Sequence, residues 1–198
     1  MKFHNYPLLA LIVFNYSQIY ASDLGVTGLI DIPTARMMND GDIKTTFSSQ
    51  KIANITNLSY QATPWLETTF RYTIFNPDNP LRNTYNIDGL SDRSYAVKFR
   101  LKKEGNIFPE IAIGLQDIIG TGAWSSEYLV ASKQYNNFDF TLGMGWGRLS
   151  ERESFKNPLV NISQSYEKRG SGGGQKGGKL RLSSFFTGKK VGLFGGVS

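Results

Sequence analysis

The sequence predicts an all-β protein: an antiparallel, transmembrane-type β-barrel of which this chain is an incomplete amino-terminal part. Nine stretches alternate apolar and polar side chains residue by residue, and most approach the roughly 9–11 residues that a tilted strand needs to cross a bilayer. The connections between them alternate short and long, as they do in outer-membrane barrels. Nine is an odd number of strands, and the last stretch ends at Ser198 without a closing aromatic residue. Because bacterial single-chain barrels have even strand numbers, we expect further strands to complete this one.

The alternation is clearest from Phe138 to Gly147, where every second residue is large and apolar and those between are Asp, Thr or Gly. One face of this strand is therefore expected to contact lipid, through Phe138, Phe140, Leu142 and Trp146, and the other to face a polar interior. The predicted strands are Asp42 to Gln50, Ile55 to Ala62, Leu66 to Phe75, Ser94 to Lys102, Pro109 to Ile118, Glu127 to Gln134, Phe138 to Gly147, Lys179 to Phe186 and Val191 to Val197.

The connections divide into two sets. Four are short and contain the Gly, Asn or Pro residues of tight turns: Thr63 to Trp65, Lys103 to Asn106, Tyr135 to Asn137 and Thr187 to Lys190. Three are longer and polar: Asn76 to Arg93, Ile119 to Ser125 and Arg148 to Gly178. Short periplasmic turns and long extracellular loops would produce this arrangement.

The first 21 residues are predicted to be a cleaved signal peptide. Lys2 and His4 precede an apolar run from Pro7 to Phe14, which is too short to span a bilayer as a helix, and Ala21 precedes the expected cleavage point. Residues 22–41 would then form a periplasmic lead-in, and residues 42–198 the strands. The chain contains no Cys, so it has neither disulfides nor a residue for lipoprotein acylation.

Charged residues at polar-face positions are predicted to face the barrel lumen. The cations are Arg71, Lys98, Arg100, Lys133 and Arg181, and the acids are Glu67, Glu110 and Asp139. With a net charge of +6, such a lumen would attract anions more readily than cations. The alternative is that these cations pair with the acids on neighbouring strands.

Most catalytic chemistry is absent from the sequence. His4, the sole His, lies in the predicted signal peptide, so we expect no nucleophilic triad, no His-containing zinc site and no cofactor. Glu151 and Glu153 could form a glycosidase pair, but a solvated loop surface is the favoured interpretation. Gly173 to Lys179 approaches a phosphate-binding loop, but Leu180 replaces the required Ser or Thr. We therefore predict no enzymatic activity and no nucleic-acid partner.

The segment from Gly28 to Met37, GLIDIPTARM, resembles the opening of the YjbH-type outer-membrane proteins of exopolysaccharide and capsule biosynthesis. Ile113 to Ile118, Tyr128 to Lys133 and Gly145 to Leu149 resemble later segments of that family. The motif residues are Gly28, Asp31, Pro33, Thr34, Ala35, Arg36 and Gly41. A structural role is the favoured interpretation for them: Asp31 would cap a turn begun at Pro33, and Gly41 would turn the chain into the first strand.

The resemblance implies a large outer-membrane barrel of a Gram-negative bacterium, encoded with polysaccharide-export machinery and without established enzymatic activity. Many members of the family are lipoproteins, from which this chain departs because it lacks Cys. The expected partners are outer-membrane lipid and lipopolysaccharide, an anionic exopolysaccharide and periplasmic export proteins. The alternatives are a general porin or surface-binding barrel, and a soluble secreted β-sandwich.

Overall fold

The computed structural model describes residues 22–76, 91–122, 124–150, 154–170, 180 and 184–198. These residues form one antiparallel sheet of nine strands in the order β1-β2-β3-β4-β5-β6-β7-β9-β8. The strands are β1 (Ile43–Ser49), β2 (Ala53–Thr63), β3 (Leu66–Phe75), β4 (Ser91–Lys102), β5 (Glu110–Gln116), β6 (Ser126–Tyr135), β7 (Phe138–Gly147), β8 (Ser154–Lys156) and β9 (Lys190–Val197). Three short 3-10 helices follow β7 and β8, at Arg148–Ser150, Pro158–Asn161 and Gln164–Tyr166. None of the helices in the described ranges has the length and apolar character needed to span a bilayer.

Seven predicted strands, those from Asp42 to Gly147, are confirmed with shifts of a few residues, and the last one, Val191 to Val197, is confirmed as β9. The predicted eighth strand, Lys179 to Phe186, is wrong in its described part, because Ser184 to Phe186 form a turn. Phe186 has a positive φ of 59° there, and its N–H donates to Glu127 at 2.9 Å. The strand that pairs with β9 is instead β8, inside the predicted loop Arg148 to Gly178.

Among the predicted turns, two are confirmed and one is wrong. Pro64–Trp65 and Asn136–Asn137 close the β2–β3 and β6–β7 hairpins, as predicted. Thr187 to Lys190 does not connect two paired strands, so the hairpin predicted there is wrong. We call the end of the sheet that contains Pro64–Trp65 and Asn136–Asn137 the turn end, and the opposite end the loop end. The predicted signal peptide, residues 1–21, lies outside the described residues, as do Glu151, Glu153 and the Gly-rich segment 173–179.

The sheet has an inverted distribution of polarity. On β3, Glu67, Thr69, Arg71 and Thr73 are at most 4% exposed, whereas Ile74 on the opposite face is 45% exposed. On β7, Phe138, Phe140 and Leu142 are 46–65% exposed, while Thr141 between them is 6% exposed. We call the buried polar face the inner face and the exposed apolar face the outer face. In water, such a sheet would leave its hydrocarbon surface unburied.

The inner face is buried because the chain preceding β1 lies against it. We call this segment, Ser22 to Asn39, the strap. Leu24 and Val26 of the strap pack on Ala96 of β4, and Ala35 packs on Tyr128 and Val130 of β6. Gly25, at φ 81°, approaches so closely that a Cβ there would lie 2.6 Å from Thr69 and 2.7 Å from Asn57.

The two edges of the sheet are free among the described residues. β1 pairs with β2 alone, and β8 pairs with β9 alone, so the described sheet is open. Beyond Gly192, β9 is likewise paired on one side, with β7. An open edge leaves backbone N–H and C=O groups without partners in the sheet.

Candidate functional site on the inner face

The strap crosses the inner face from the loop end to the turn end. At the loop end, the side chain of Asp23 accepts from Gln50, which follows β1, and its backbone carbonyl accepts from Arg71. Between Gly28 and Pro33 the strap makes a bridged turn, whose Leu29 and Ile32 reach Gly196 of β9. At the turn end, Asn39 and Asp42 close a turn, with Gly41 at φ 81°, and β1 begins.

This path corrects one interpretation of the family-like motif and confirms another. Pro33 lies in the bridge opposite Gly28 and starts no helical turn, so Asp31 caps nothing there and is exposed. The predicted turn at Gly41 is present. Thr34 donates its N–H to the Thr27 carbonyl at 3.3 Å, which holds the two limbs of the motif together. The motif is therefore the part of the strap that folds back on itself.

A fully buried ion pair lies beneath the middle of the strap. Lys98 Nζ of β4 lies 2.8 Å from Glu67 Oε2 of β3, and both side chains have no exposed surface. The ammonium also donates to the backbone carbonyls of Thr27 at 3.1 Å and Arg36 at 2.6 Å. Glu67 Oε1 in turn accepts from the Thr27 N–H at 2.6 Å. These contacts offset the desolvation of both charges, which is costly unless every group finds a partner.

Arg36 of the strap is the centre of a second network, at the turn end. Its guanidinium binds Asp139 of β7 in a two-point contact, with N–O distances of 2.7 and 2.8 Å. Its Nη1 also lies 2.5 Å from Glu104 in the β4–β5 turn and 2.9 Å from Glu110 of β5. These hydrogen bonds, first that to Asp139, raise the pKa of Arg36 although burial opposes them. Arg36 thus remains charged and joins three separate parts of the sheet to the strap.

The acids of this network have further cationic partners. Arg100 Nη1 lies 3.2 Å from Glu110, and Lys133 Nζ lies 3.0 Å from Glu104. Desolvation disfavours the charged form of Glu104, but the hydrogen bonds from Lys133 and Arg36 outweigh it and lower its pKa to about 2. Glu104 is therefore ionised at neutral pH, opposite the charged guanidinium of Arg36.

The structure places the predicted charged residues as follows. Arg71, Lys98, Arg100, Glu67, Glu110 and Asp139 lie on the inner face. Lys133 does not, because it pairs directly with Phe140 and therefore shares the outer face. Its ammonium turns towards the β4–β5 turn, where it donates to the carbonyls of Gly105 and Asn106. Arg181 lies outside the described residues.

Sequence reasoning did not find the partners of Arg36 and missed a third cluster entirely. Glu127 of β6 is opposite Trp146 and therefore on the outer face, yet it is fully buried. Arg169 binds its carboxylate at two points, with distances of 2.7 and 2.8 Å. The signal was present in the sequence: a carboxylate at an apolar-face position predicts a covering segment.

That covering segment comprises the described residues 154–170 and 184–189, which we call the collar. Asn157 joins the two parts of the collar to β7. The Oδ1 of Asn157 accepts from the Trp146 indole at 3.1 Å, and its side-chain amide donates to the carbonyls of Phe186 and Gly188. Phe186 meets Trp146 edge to face at 5.1 Å between ring centroids. Trp146 is 4% exposed, so the lipid contact predicted for it is wrong.

A buried carboxylate also lies at the loop end of the inner face. Asp117 follows β5 at φ 56°, and its Oδ2 accepts from the Trp124 N–H at 3.1 Å. Burial, reinforced by the nearby charge of Asp92, raises the pKa of Asp117 to about 7. Arg71 and Arg148 lie over the Trp124 ring, 5.2 and 3.9 Å from its centroid. Among the residues that the structure describes, no group of three or more His, Cys, Asp or Glu side chains is arranged to hold a metal ion.

Comparison with known proteins places the chain in a family. Residues 20–198 match the family described as "Exopolysaccharide biosynthesis protein YbjH". The chain belongs to the YjbH family. A relative from Escherichia coli (strain K12), named "Uncharacterized lipoprotein YjbH", is 40% identical over 182 residues, which cover 89% of this chain and 25% of the relative. The chain therefore spans about a quarter of the length of this YjbH relative, and no solved structure matches it.

Proposed function

We propose that this chain forms part of an outer-membrane β-barrel that takes part in exopolysaccharide biosynthesis or export. The observation that carries the proposal is the inverted sheet, in which Glu67, Lys98 and Arg71 are buried while Leu142 and Phe140 are exposed. A lipid bilayer provides the apolar surroundings that such an outer face requires, and it excludes open sheet edges, so further strands would pair with β1 and β9. The proposed process is exopolysaccharide biosynthesis or export, because the chain belongs to a family that is described by exopolysaccharide biosynthesis.

The orientation follows from the connections. In outer-membrane barrels the turns face the periplasm and the long loops face the exterior, so the collar would lie outside the cell and the β2–β3 and β6–β7 turns inside. The collar also limits how far lipid contact extends towards the loop end, because it covers Glu127 and Trp146 on the outer face. We expect lipid and lipopolysaccharide to surround the outer face below it.

The proposed role is not enzymatic. The expected partners are an anionic exopolysaccharide and periplasmic export proteins, and neither a metal nor another cofactor is required. The alternative is a general porin or surface-binding barrel. The strap favours a surface-binding barrel over a permanently open porin, because it occupies the inner face through Thr27, Ala35 and Arg36.

The test combines localisation and phenotype. In the native bacterium, the protein should sediment with the outer membrane, resist extraction by alkaline carbonate and partition into detergent. Deletion of its gene should reduce surface polysaccharide, and reintroduction should restore it. Extraction by carbonate would contradict the barrel, whereas a membrane-embedded protein whose loss leaves polysaccharide unchanged would favour the alternative.

A further inference from the structure

The inner face holds the strap mainly through its backbone. Four strap carbonyls accept hydrogen bonds from sheet side chains: those of Asp23 from Arg71, Gly25 from Ser59, and Thr27 and Arg36 from Lys98. Three strap N–H groups donate to sheet side chains: Thr27 to Glu67, Ala35 to Ser132, and Met38 to Gln61. Such contacts suit a chain that carries donors and acceptors along its length, and they require few particular side chains.

A saccharide chain has the same properties. Its hydroxyl groups both donate and accept, so they could replace strap carbonyls at Ser59 and Lys98 and strap N–H groups at Glu67 and Ser132. Carboxylate or phosphate groups on the chain would pair with Arg71 and Lys98. The buried Tyr128, which now packs against Ala35, offers a ring face to the apolar side of a sugar.

We propose that these inner-face groups form a binding track for an extended, hydroxylated and anionic saccharide, and that the strap occupies the track until the saccharide displaces it. The track residues are Ser59, Gln61, Glu67, Arg71, Lys98 and Ser132. This inference rests on the proposed function, which it deepens by naming the site and the class of ligand.

The two ends of the strap differ in how firmly they are held. At the turn end, Arg36 contacts three carboxylates, and the chain continues directly into β1. At the loop end, the contacts of Asp23 with Gln50 and Arg71 include no carboxylate–guanidinium pair. Displacement therefore begins at Ser22 and proceeds towards Arg36, which retains the strap as a tether. The loop-end part of the track, at Ser59 and Arg71, would therefore be uncovered first.

The absence of Cys from the chain permits a direct test with a reversible lock. Ala35 N and Ser132 Oγ are 2.9 Å apart, so the pair A35C/S132C is chosen to fix the strap in the track, and loss of free thiol on oxidation verifies that the disulfide has formed. The matched control is S49C/N54C, a directly opposed pair on β1 and β2 that does not touch the strap. Both variants are compared in detergent micelles as the full chain, oxidised and after reduction, so that the same folded protein serves as its own reference.

The probe is a fluorescently labelled oligouronate, with an uncharged dextran oligosaccharide of similar length beside it. Reduced A35C/S132C should bind the oligouronate at least about ten-fold more tightly than the oxidised form, because the disulfide keeps the strap on the track residues and prevents the oligouronate from reaching them. The control should bind equally in both states, and dextran should bind more weakly than the oligouronate. In the reduced protein, added oligouronate should accelerate hydrogen exchange at the Thr27 and Ala35 amides, which a ligand bound elsewhere would not do.

Equal oligouronate affinity with and without the lock, or no binding to the reduced protein, would overturn the track. These outcomes are separate from failure of the proposed function, which is judged by the polysaccharide on cells that lack the gene. A reduced polysaccharide level together with lock-independent binding would retain the function and reject this site.

Discussion

Replacing Arg36 with alanine should release the turn end of the strap while leaving the sheet intact. The substitution removes the cation from three carboxylates at once. Glu104 keeps Lys133 at 3.0 Å and Glu110 keeps Arg100 at 3.2 Å, but Asp139 loses both of its guanidinium contacts. The damage therefore centres on Asp139.

The magnitude follows from the burial of these groups. Removing one partner of a fully buried ion pair costs about 3–5 kcal/mol. The acids here are 7–21% exposed, and two of the three retain a cation, so the loss should be smaller. We expect about 2–3 kcal/mol, and because 1.4 kcal/mol is a factor of ten, strap opening should become roughly 30- to 150-fold more favourable.

Hydrogen exchange of the Ala35 amide reports this opening, because that N–H is bonded to Ser132 across the strap–sheet contact. In Arg36→Ala the Ala35 amide should exchange faster by the factor above, while amides within β3 should keep their protection. Arg36→Lys, which preserves the charge but not the two-point contact with Asp139, should give an intermediate rate. A change at Ala35 of less than about three-fold, or an equal acceleration throughout the sheet, would refute the assignment of Arg36 as the strap's anchor.

Three other predictions concern separate regions. Because the folded-state pKa of Asp117 is raised to about 7, stability should fall as pH rises from about 3.8 to about 7 and then level off; a denaturant series should show this slope disappear in Asp117→Asn. Leu142→Arg should destabilise the protein by about 2–4 kcal/mol in lipid, against about 0–1 kcal/mol for Tyr135→Arg beside a turn, and equal losses in a folding titration would contradict lipid contact at Leu142. Glu127→Ala should free the collar and shift Trp146 emission to longer wavelength; an unchanged emission spectrum would argue against that anchoring role.

The sequence by itself determined which residues form most strands and how their side chains divide between two faces. Alternation with a period of two is a local property, so Phe138 to Gly147 and Leu66 to Phe75 could be assigned with their faces from the chain alone. It failed at Ser184 to Phe186, the described end of the predicted eighth strand, because a distant carboxylate, Glu127, binds the Phe186 N–H and holds a turn there. The alternation of apolar and polar residues within one segment carries no information about a hydrogen-bond partner as distant in the chain as Glu127.

The tertiary structure alone decided what covers each face and which charges meet. Arg36 and Asp139 are 103 positions apart in the chain, and no spacing rule joins them. The prediction that Lys133 faces inwards is wrong because a one-residue shift in strand register reverses every side chain, and the pairing of Lys133 with Phe140 is set by the Asn136–Asn137 turn. The strap lies on the inner face because Glu67, Lys98 and Ser132 there need partners that the strap backbone supplies.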